Sequence, residues 1–268
     1  MLDPPKHADS RKPERLPASL RQARILHAFE ESTFVTIGEL ARIFNVSAMT
    51  IRRDLDALDR QGLLERTRGG ALPPVRDAQM NEPAFDMRRQ ESAGQKVTIA
   101  KAGAALVGEG MSLGIDVGTT TLALAEKLGS RRDIRVITSS LRAATYLAGR
   151  DTPVYTLAGQ VRTPELSITG PQAVDSVKSH FLDIAFIGVA ALDEYGFYDY
   201  SPEDSEVKRA FMANAAKVVA LCDSSKFERR AFSRVSPLSQ VNVLITDAMP
   251  PSAIADALAR AKVEICVA

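Results

Sequence analysis

Two groups of residues have types and spacing suited to chemistry. The first runs Ser47-Ala48-Met49-Thr50, then Arg52 and Arg53, with Arg66, Arg68 and the pair Gly69-Gly70 downstream. Arginine can pair bidentately with guanine, threonine and methionine can touch a thymine methyl, and a serine hydroxyl beside free helix N–H groups can meet a phosphate. This is the chemistry of a helix lying in a DNA groove, with Arg66 and Arg68 on a wing that tracks the backbone. The second group opens with GIDVGTTT, where Asp116, Gly118, Thr119, Thr120 and Thr121 stand between an apolar run and a helix start. Glycine lets the backbone approach closely, N–H groups at a helix N-terminus attract an anion, and threonine hydroxyls add donors, which suits a phosphate. The loop is neither a Walker loop nor a G-x-G-x-x-G dinucleotide turn.

The elements that must position the first group are three short helices. Ser19 and Gln22 form an S-x-x-Q box before Ile25, Leu26 and Phe29. Thr36 and Glu39 form a T-x-x-E capping box, Val35 can staple onto Leu40, and Ile37, Leu40, Ala41 and Phe44 make a buried stripe. After a three-residue turn Ser47 caps a helix whose Ile51, Leu55 and Leu58 face inward until Gly62, leaving Arg52 and Arg53 outward. Asp54, Asp56 and Asp59 dilute the charge of that helix. Leu63 to Leu72 can fold as a hairpin around Gly69 and Gly70, so the segment reads as a helix-turn-helix with a wing.

Downstream of Gln95 the pattern changes to helices alternating with continuously apolar runs, at 111–116, 134–138, 153–158, 183–188, 217–222, 242–246 and 263–267. Such runs are expected for strands covered on both faces of a parallel sheet, whose carboxyl ends share one ligand-binding edge. Thr138, Ser139 and Ser140, Gly159 and Gln160, Gly188, and Asp223 to Lys226 follow successive strands there. With Asp116 to Thr121 they suggest a pocket for a phosphorylated polyol or sugar. The plainer reading is a set of helix caps. The expected organisation is a disordered arm over 1–18, a DNA-binding domain over 19–72, a linker over 73–93 that overlaps the Pro-bearing stretch Leu72 to Pro83, and an α/β domain over 94–268.

Composition narrows the classes. The chain has 268 residues, 45% apolar, with 34 basic against 33 acidic side chains. Up to Arg76 there are 13 basic and 10 acidic residues and beyond it 21 and 23, a slight asymmetry that favours an anionic partner for the front. No apolar run approaches a membrane span and the first twenty residues lack a secretory core, so neither insertion nor export is expected. Two cysteines, Cys222 and Cys266, and three histidines make a disulfide framework or metal site unexpected, and a reducing cytoplasm fits.

The run TIGELARIFNVSAMTIRRDLDALDRQGLLERTRGGAL resembles the amino-terminal signature of DeoR-type bacterial transcriptional regulators. The resemblance continues through Phe85, Arg88 and Lys96 to D-x-G-T-T, T-x-S and D-x-S-K-F (Asp223 to Phe227). Arg68 stands where histidine is common, Ser139 where asparagine is usual, and Gln160 where a second glycine is usual. It implies a winged helix-turn-helix joined to an α/β sensor domain similar in fold to ribose-5-phosphate isomerases and related transferases. The function implied is an operator-binding repressor of a carbohydrate or polyol operon, sensing a phosphorylated effector as a homo-oligomer, without cofactor or metal. Two alternatives stand beside it. One is a sugar-phosphate isomerase drawing on the acidic segment from Asp193 to Lys208, two residues otherwise kept as effector contacts; the other is a constitutive DNA binder with a vestigial sensor.

Overall fold

The structure, a computed structural model, describes residues 16–28, 35–61, 63–67, 69–72 and 82–268. The chain divides into two units, Met1–Ala78 and Gln79–Ala268.

In the first unit, α1 (Ala18–His27), α2 (Ile37–Ile43) and α3 (Ala48–Arg60) pack with a small sheet of β1 (Val35–Thr36), β2 (Glu65–Arg66) and β3 (Gly70–Leu72). β3 lies between the other two and pairs antiparallel with both. Their core is Ile25, Val35, Ile37, Leu40, Ile51, Leu55, Leu58, Leu64 and Ala71, which includes the inward stripe of α3 and two of the four expected for α2; Ala41 and Phe44 are only partly buried against it. The α2 capping box forms reciprocally: the Glu39 N–H donates to Thr36 Oγ1 at 3.1 Å and the Thr36 N–H to Glu39 Oε2 at 3.2 Å. Four residues, Phe44 to Ser47, separate α2 from α3, one more than the spacing suggests, and Asn45 adopts a left-handed φ of 50° that its short amide side chain tolerates.

Two expectations are corrected here. No box forms at Ser19, because α1 begins at Ala18 after Pro17 and the Gln22 amide donates instead to Asp54 Oδ1 at 3.2 Å. Nor does Asp54 solvate the outer face of α3. It is buried and takes Arg21 Nε at 2.5 Å and Nη2 at 3.1 Å, tying α1 to α3. Removing one partner of a buried pair leaves the other charge uncompensated, so Asp54→Ala should destabilise this unit by about 3–5 kcal/mol. Hydrogen exchange of the α3 amides reports that loss for this unit alone, and a change under about 1 kcal/mol would refute the role. Most of the expected arm, Phe29, Gly62, Arg68 and the linker from 73 to 81 lie outside the described residues.

The second unit is a seven-stranded parallel sheet. It comprises β4 (Ser112–Ile115), β5 (Arg135–Thr138), β6 (Val154–Thr156), β9 (Leu182–Gly188), β12 (Ala215–Leu221), β14 (Val243–Thr246) and β15 (Glu264–Val267), in the order β15-β14-β12-β9-β4-β5-β6. The chain fills one side of β4 and then returns to its other side, so the switch point lies between β4 and β9. Successive β9 residues face opposite layers. Ile184 and Phe186 pack on the layer of α5 (Ala93–Ala105), α6 (Thr119–Leu128) and α7 (Leu141–Ala148), while Ala185 and Ile187 pack on that of α8 (Pro171–Lys178), α9 (Pro202–Ala213) and α10 (Ser252–Arg260). Burial of both strand faces explains why these runs are continuously apolar.

Added to this frame are a hairpin, β7 (Gln160–Arg162) with β8 (Ser167–Thr169), and an antiparallel sheet of β10 (Ala191–Asp193), β11 (Gly196–Asp199) and β13 (Ser233–Ser236). The expected linker through 93 also changes. From Glu82 onward it belongs to this unit: α4 (Phe85–Gln90) sinks Phe85 into the core, and Arg88 pairs with Glu82 at 3.0 Å and with Glu165.

Candidate functional site

The outward face of α3 is built from its own cap. Ser47 Oγ accepts from the Thr50 N–H at 3.2 Å and lies 2.9 Å from Thr50 Oγ1, so this serine first of all starts the helix. Ala48, Met49, Arg52 and Arg53 are exposed and Thr50 is half-buried, opposite the buried Ile51, Leu55 and Leu58. Among the described residues neither Arg52 nor Arg53 meets a carboxylate, which leaves both guanidinium groups for an outside partner.

The wing departs from expectation. Arg66 is not a free contact: its guanidinium donates to Asp56 Oδ1 and, at 3.3 Å, to the Arg52 carbonyl, and its N–H bonds Asp59 Oδ1 at 3.1 Å. The residue clamps β2 onto α3. Gly70 lies inside β3 rather than at the tip, and the Thr67 N–H closes the turn on its carbonyl at 3.1 Å. Gly69 is exposed and its carbonyl accepts from the Ile37 N–H at 3.1 Å.

In the second unit a cleft opens at the switch point. Gly118, Thr119, Thr120, Lys208, Asp223 and Lys226 line it. Gly118 has a φ of 143°, which favours glycine, and α6 starts after it without a side-chain cap, so its first N–H groups point outward unclaimed by a local side chain. Asp116 and Thr121 lie just behind. Thr121 is fully buried and donates to the Gly118 carbonyl at 3.1 Å. Asp116 Oδ2 accepts from the Gly188 N–H at 3.1 Å and from Lys208, whereas its buried Oδ1 has no partner among the described residues. Lys208, fully buried on α9, also reaches the Gly188 carbonyl at 3.2 Å and Asp199 Oδ2 at 3.1 Å. Asp223 caps the turn Ser224–Lys226, accepting from the Ser225 N–H at 3.2 Å, and Lys226 Nζ stands 3.6 Å from Glu91 Oε2.

Other expected contacts are not brought to the cleft. Thr138 Oγ1 accepts from the Ser140 N–H at 3.0 Å, Ser140 Oγ caps α7 through the Ala143 N–H at 3.2 Å, and the Ser139 carbonyl accepts from the Ile168 N–H at 2.7 Å. All three are buried where β5 meets β8; the hydroxyls of Thr138 and Ser140 serve backbone and cap, whereas Ser139 Oγ has no partner among the described residues. Gly159 is steric, since a Cβ there would come within 2.4 Å of the Thr169 carbonyl. Asp193 organises the β10–β11 turn, accepting from the Tyr195 and Gly196 N–H groups at 2.8 and 3.2 Å and from the Tyr198 hydroxyl at 3.0 Å.

In their place come Glu82, Arg88, Lys96, Glu165, Asp199, Tyr200 and Asp204. Arg162, behind this wall, bonds Glu82 Oε2 at 2.8 Å and Asp204 Oδ2 at 2.9 Å. Arg88, Lys96 and the acidic segment were visible in the sequence, but no spacing connected them with Glu82, Arg162 and Glu165.

Burial dominates the titration of this cluster. It pushes Asp116 up to about 6 despite Lys208, and Glu165 up to about 8 despite Arg88, with Glu82 adding to the rise. Asp204 is also raised by burial, against Arg162. Burial alone would lower Lys208, but the carboxylates of Asp116 and Asp199 outweigh it and hold the amine protonated; at Lys96 burial wins and lowers the amine. A carboxyl raised in the fold binds more protons native than unfolded, so its contribution is greatest below about pH 4 and is lost as pH rises through the folded value. The ligand-free protein should therefore lose melting temperature between about pH 5 and pH 8, with Glu165→Gln flattening the slope. An equal slope in that variant would remove Glu165 from the account.

These features define a class: a helix-turn-helix unit with an outward Arg-bearing helix, and an α/β unit with a cleft at the switch point of its sheet. The chain belongs to the DeoR family of transcriptional regulators. The family model for the DeoR-like helix-turn-helix domain matches residues 21–74, and that for the DeoR C terminal sensor domain matches residues 91–248. It is 34% identical over 233 residues to the glycerol-3-phosphate regulon repressor of Haemophilus influenzae, covering 87% of this chain and 90% of that one. Identity to the repressor of the same name from Escherichia coli K12 is 31% over 250 residues, covering 92% and 98%. Among solved structures, ribose 5-phosphate isomerase A from Methanocaldococcus jannaschii aligns with a TM-score of 0.40 and 22% identity, over 51% of this chain and 55% of that one. The domain matches and relatives make the chain a regulator rather than an enzyme. No described helix is long and apolar enough to cross a membrane.

Proposed function

We propose that the chain is a cytoplasmic operator-binding repressor of a carbohydrate or polyol operon, whose hold on DNA is set by a phosphorylated polyol or sugar bound in the cleft. The observation that carries the reading is the side-chain-free start of α6, opening on a cleft that also carries Lys96 and Lys226. An anion there gains from the exposed N–H groups and the helix dipole together. Its relatives that repress a glycerol-3-phosphate regulon support the same class of ligand. Ser47 to Thr50, Arg52 and Arg53 are the groups offered to the operator, with Gly69 at the wing. Paired recognition helices on two half-sites call for a symmetric homo-oligomer.

The test is a melting screen of the whole protein with phosphorylated polyols and sugars. A ligand at a hundred times its Kd stabilises by about 2.7 kcal/mol, a shift of several degrees. Thr120→Glu, which places a carboxylate at the anion position, should abolish the shift; because Thr120 is buried, the variant's own ligand-free melting temperature is the baseline for that comparison. If no phosphorylated compound moves the wild-type transition, the sensor is vestigial and the alternative of a constitutive DNA binder takes over.

A further inference from the structure

The segment from Glu82 to Glu91 puts Glu82 and Arg88 into the cleft, and it is where the sequence enters the sensor unit from the linker. Its middle and its start are held in different ways. Phe85 is buried in the core and does not line the cleft, and the Arg142 guanidinium lies 4.1 Å from its ring centroid. The start is held by shared charges. The Arg88 guanidinium donates to the Pro83 carbonyl at 2.9 Å, to Glu82 at 3.0 Å and to Glu165, while Arg162 bonds both Glu82, at 2.8 Å, and Asp204, at 2.9 Å. Glu82 is thus the middle member of a row that runs Glu165, Arg88, Glu82, Arg162, Asp204. The row ties the β7–β8 loop and α9 to the first residues after the linker. All of its members except Arg162 line the cleft.

On the phosphate-binding reading above, we infer that Glu82 is a positioning residue that passes occupancy of the cleft to the linker. A bound molecule that engages Arg88, Glu165 or Asp204 competes with the bonds these groups make in the row, because a guanidinium fork or a carboxylate turned to a new partner holds its old one less well. Both ion pairs of Glu82 then change together. Phe85 keeps its place in the core, so the displacement falls on residues 82–84, which swing about it. Residues 73–81 precede that point in the sequence, so the movement reaches the DNA-binding unit through the chain itself. Coupling of this kind needs a connected path with alternative arrangements, and a carboxylate shared by two arginines supplies one.

The operator response of variants separates relay from binding. Arg162→Lys keeps the charge behind the cleft but lacks the fork, so it can serve Glu82 or Asp204 and not both. Operator affinity of the full chain is measured without probe and at saturating probe, using whichever of glycerol 3-phosphate, glucose 6-phosphate and inorganic phosphate raises the wild-type melting temperature most. Where the wild type responds about 5- to 150-fold, Arg162→Lys should respond less than about two-fold while keeping its melting shift with the same probe. Glu82→Gln, which leaves Arg88 with Glu165 and Arg162 with Asp204, should lose the response likewise. Asp86→Asn makes the same charge change on an exposed side chain of α4 and should keep the wild-type response. A full response in either of the first two variants overturns the inference while leaving the phosphate site standing. So does loss of the response in Asp86→Asn, or of the melting shift in Arg162→Lys, which would make the row part of the framework alone. If no probe raises the wild-type melting temperature, or none alters its operator affinity, the reading itself fails and the inference with it.

Discussion

Replacing Arg53 by alanine is expected to lower affinity for the cognate operator about 5- to 150-fold, the equivalent of ~1–3 kcal/mol for one base-reading arginine. Binding to random duplex should fall much less, because the lost charge contributes there only as one of several phosphate contacts. Arg53 is exposed near the start of α3, opposite the buried Ile51, Leu55 and Leu58, so the fold should keep its stability within about 0.5 kcal/mol. Competition of labelled operator against random duplex, with thermal melting of the same samples, separates the two effects. Undiminished site selectivity in the variant would mean that α3 does not read bases. Arg66 behaves differently on this account. It already clamps Asp56 and the Arg52 carbonyl, so its replacement should loosen the wing and lower stability as well as affinity.

The second large effect is expected at Lys208. Lys208→Met leaves Asp116 and Asp199 in buried surroundings without their shared cation, and should destabilise the sensor unit by about 3–5 kcal/mol. That is a substantial part of the ~5–15 kcal/mol that stabilises a typical domain. Adding Asp116→Asn should restore part of the loss, because the two sites are coupled and their effects do not add. The single variant should also fare relatively better at pH 5 than at pH 8, since Asp116, pushed up to about 6 in the wild type, can take a proton once its cation is gone. Denaturant melts of the two single variants and the double variant at both pH values check this. Strict additivity would mean that Lys208 acts through packing of its stem alone.

Local signals carried much of this fold. The T-x-x-E box, the Ser47 cap and the continuously apolar runs each depend on residues within a few positions, and each corresponds to an observed element. Short elements left no such trace: α4 has six residues, β7 and β8 three each, too few to display a period. Hydroxyls after a strand were ambiguous for a chemical reason. Capping a helix and binding a phosphate use the same donors, so Thr119 and Thr120 line the cleft whereas Thr138 and Ser140 cap backbone, and nothing in their spacing tells them apart.

The acidic wall shows a harder limit. Glu165 lies 77 positions from Arg88, and Glu82 lies 80 from Arg162, so their convergence is a property of the fold. The same holds in the DNA-binding unit, where Arg21 and Asp54 are 33 positions apart and no local spacing links them. Burial, rather than residue type, turned them into a structural pair.

The central claim is that an anion at the start of α6 alters how tightly α3 holds DNA. Its most direct test is the affinity of the full chain for an operator fragment selected from random duplexes, titrated at one fixed salt concentration with and without the phosphorylated compound that raises the melting temperature most. A coupling of about 1–3 kcal/mol predicts a 5- to 150-fold change in Kd for the wild type and none for Thr120→Glu. An operator affinity that stays the same at saturating ligand would contradict the account.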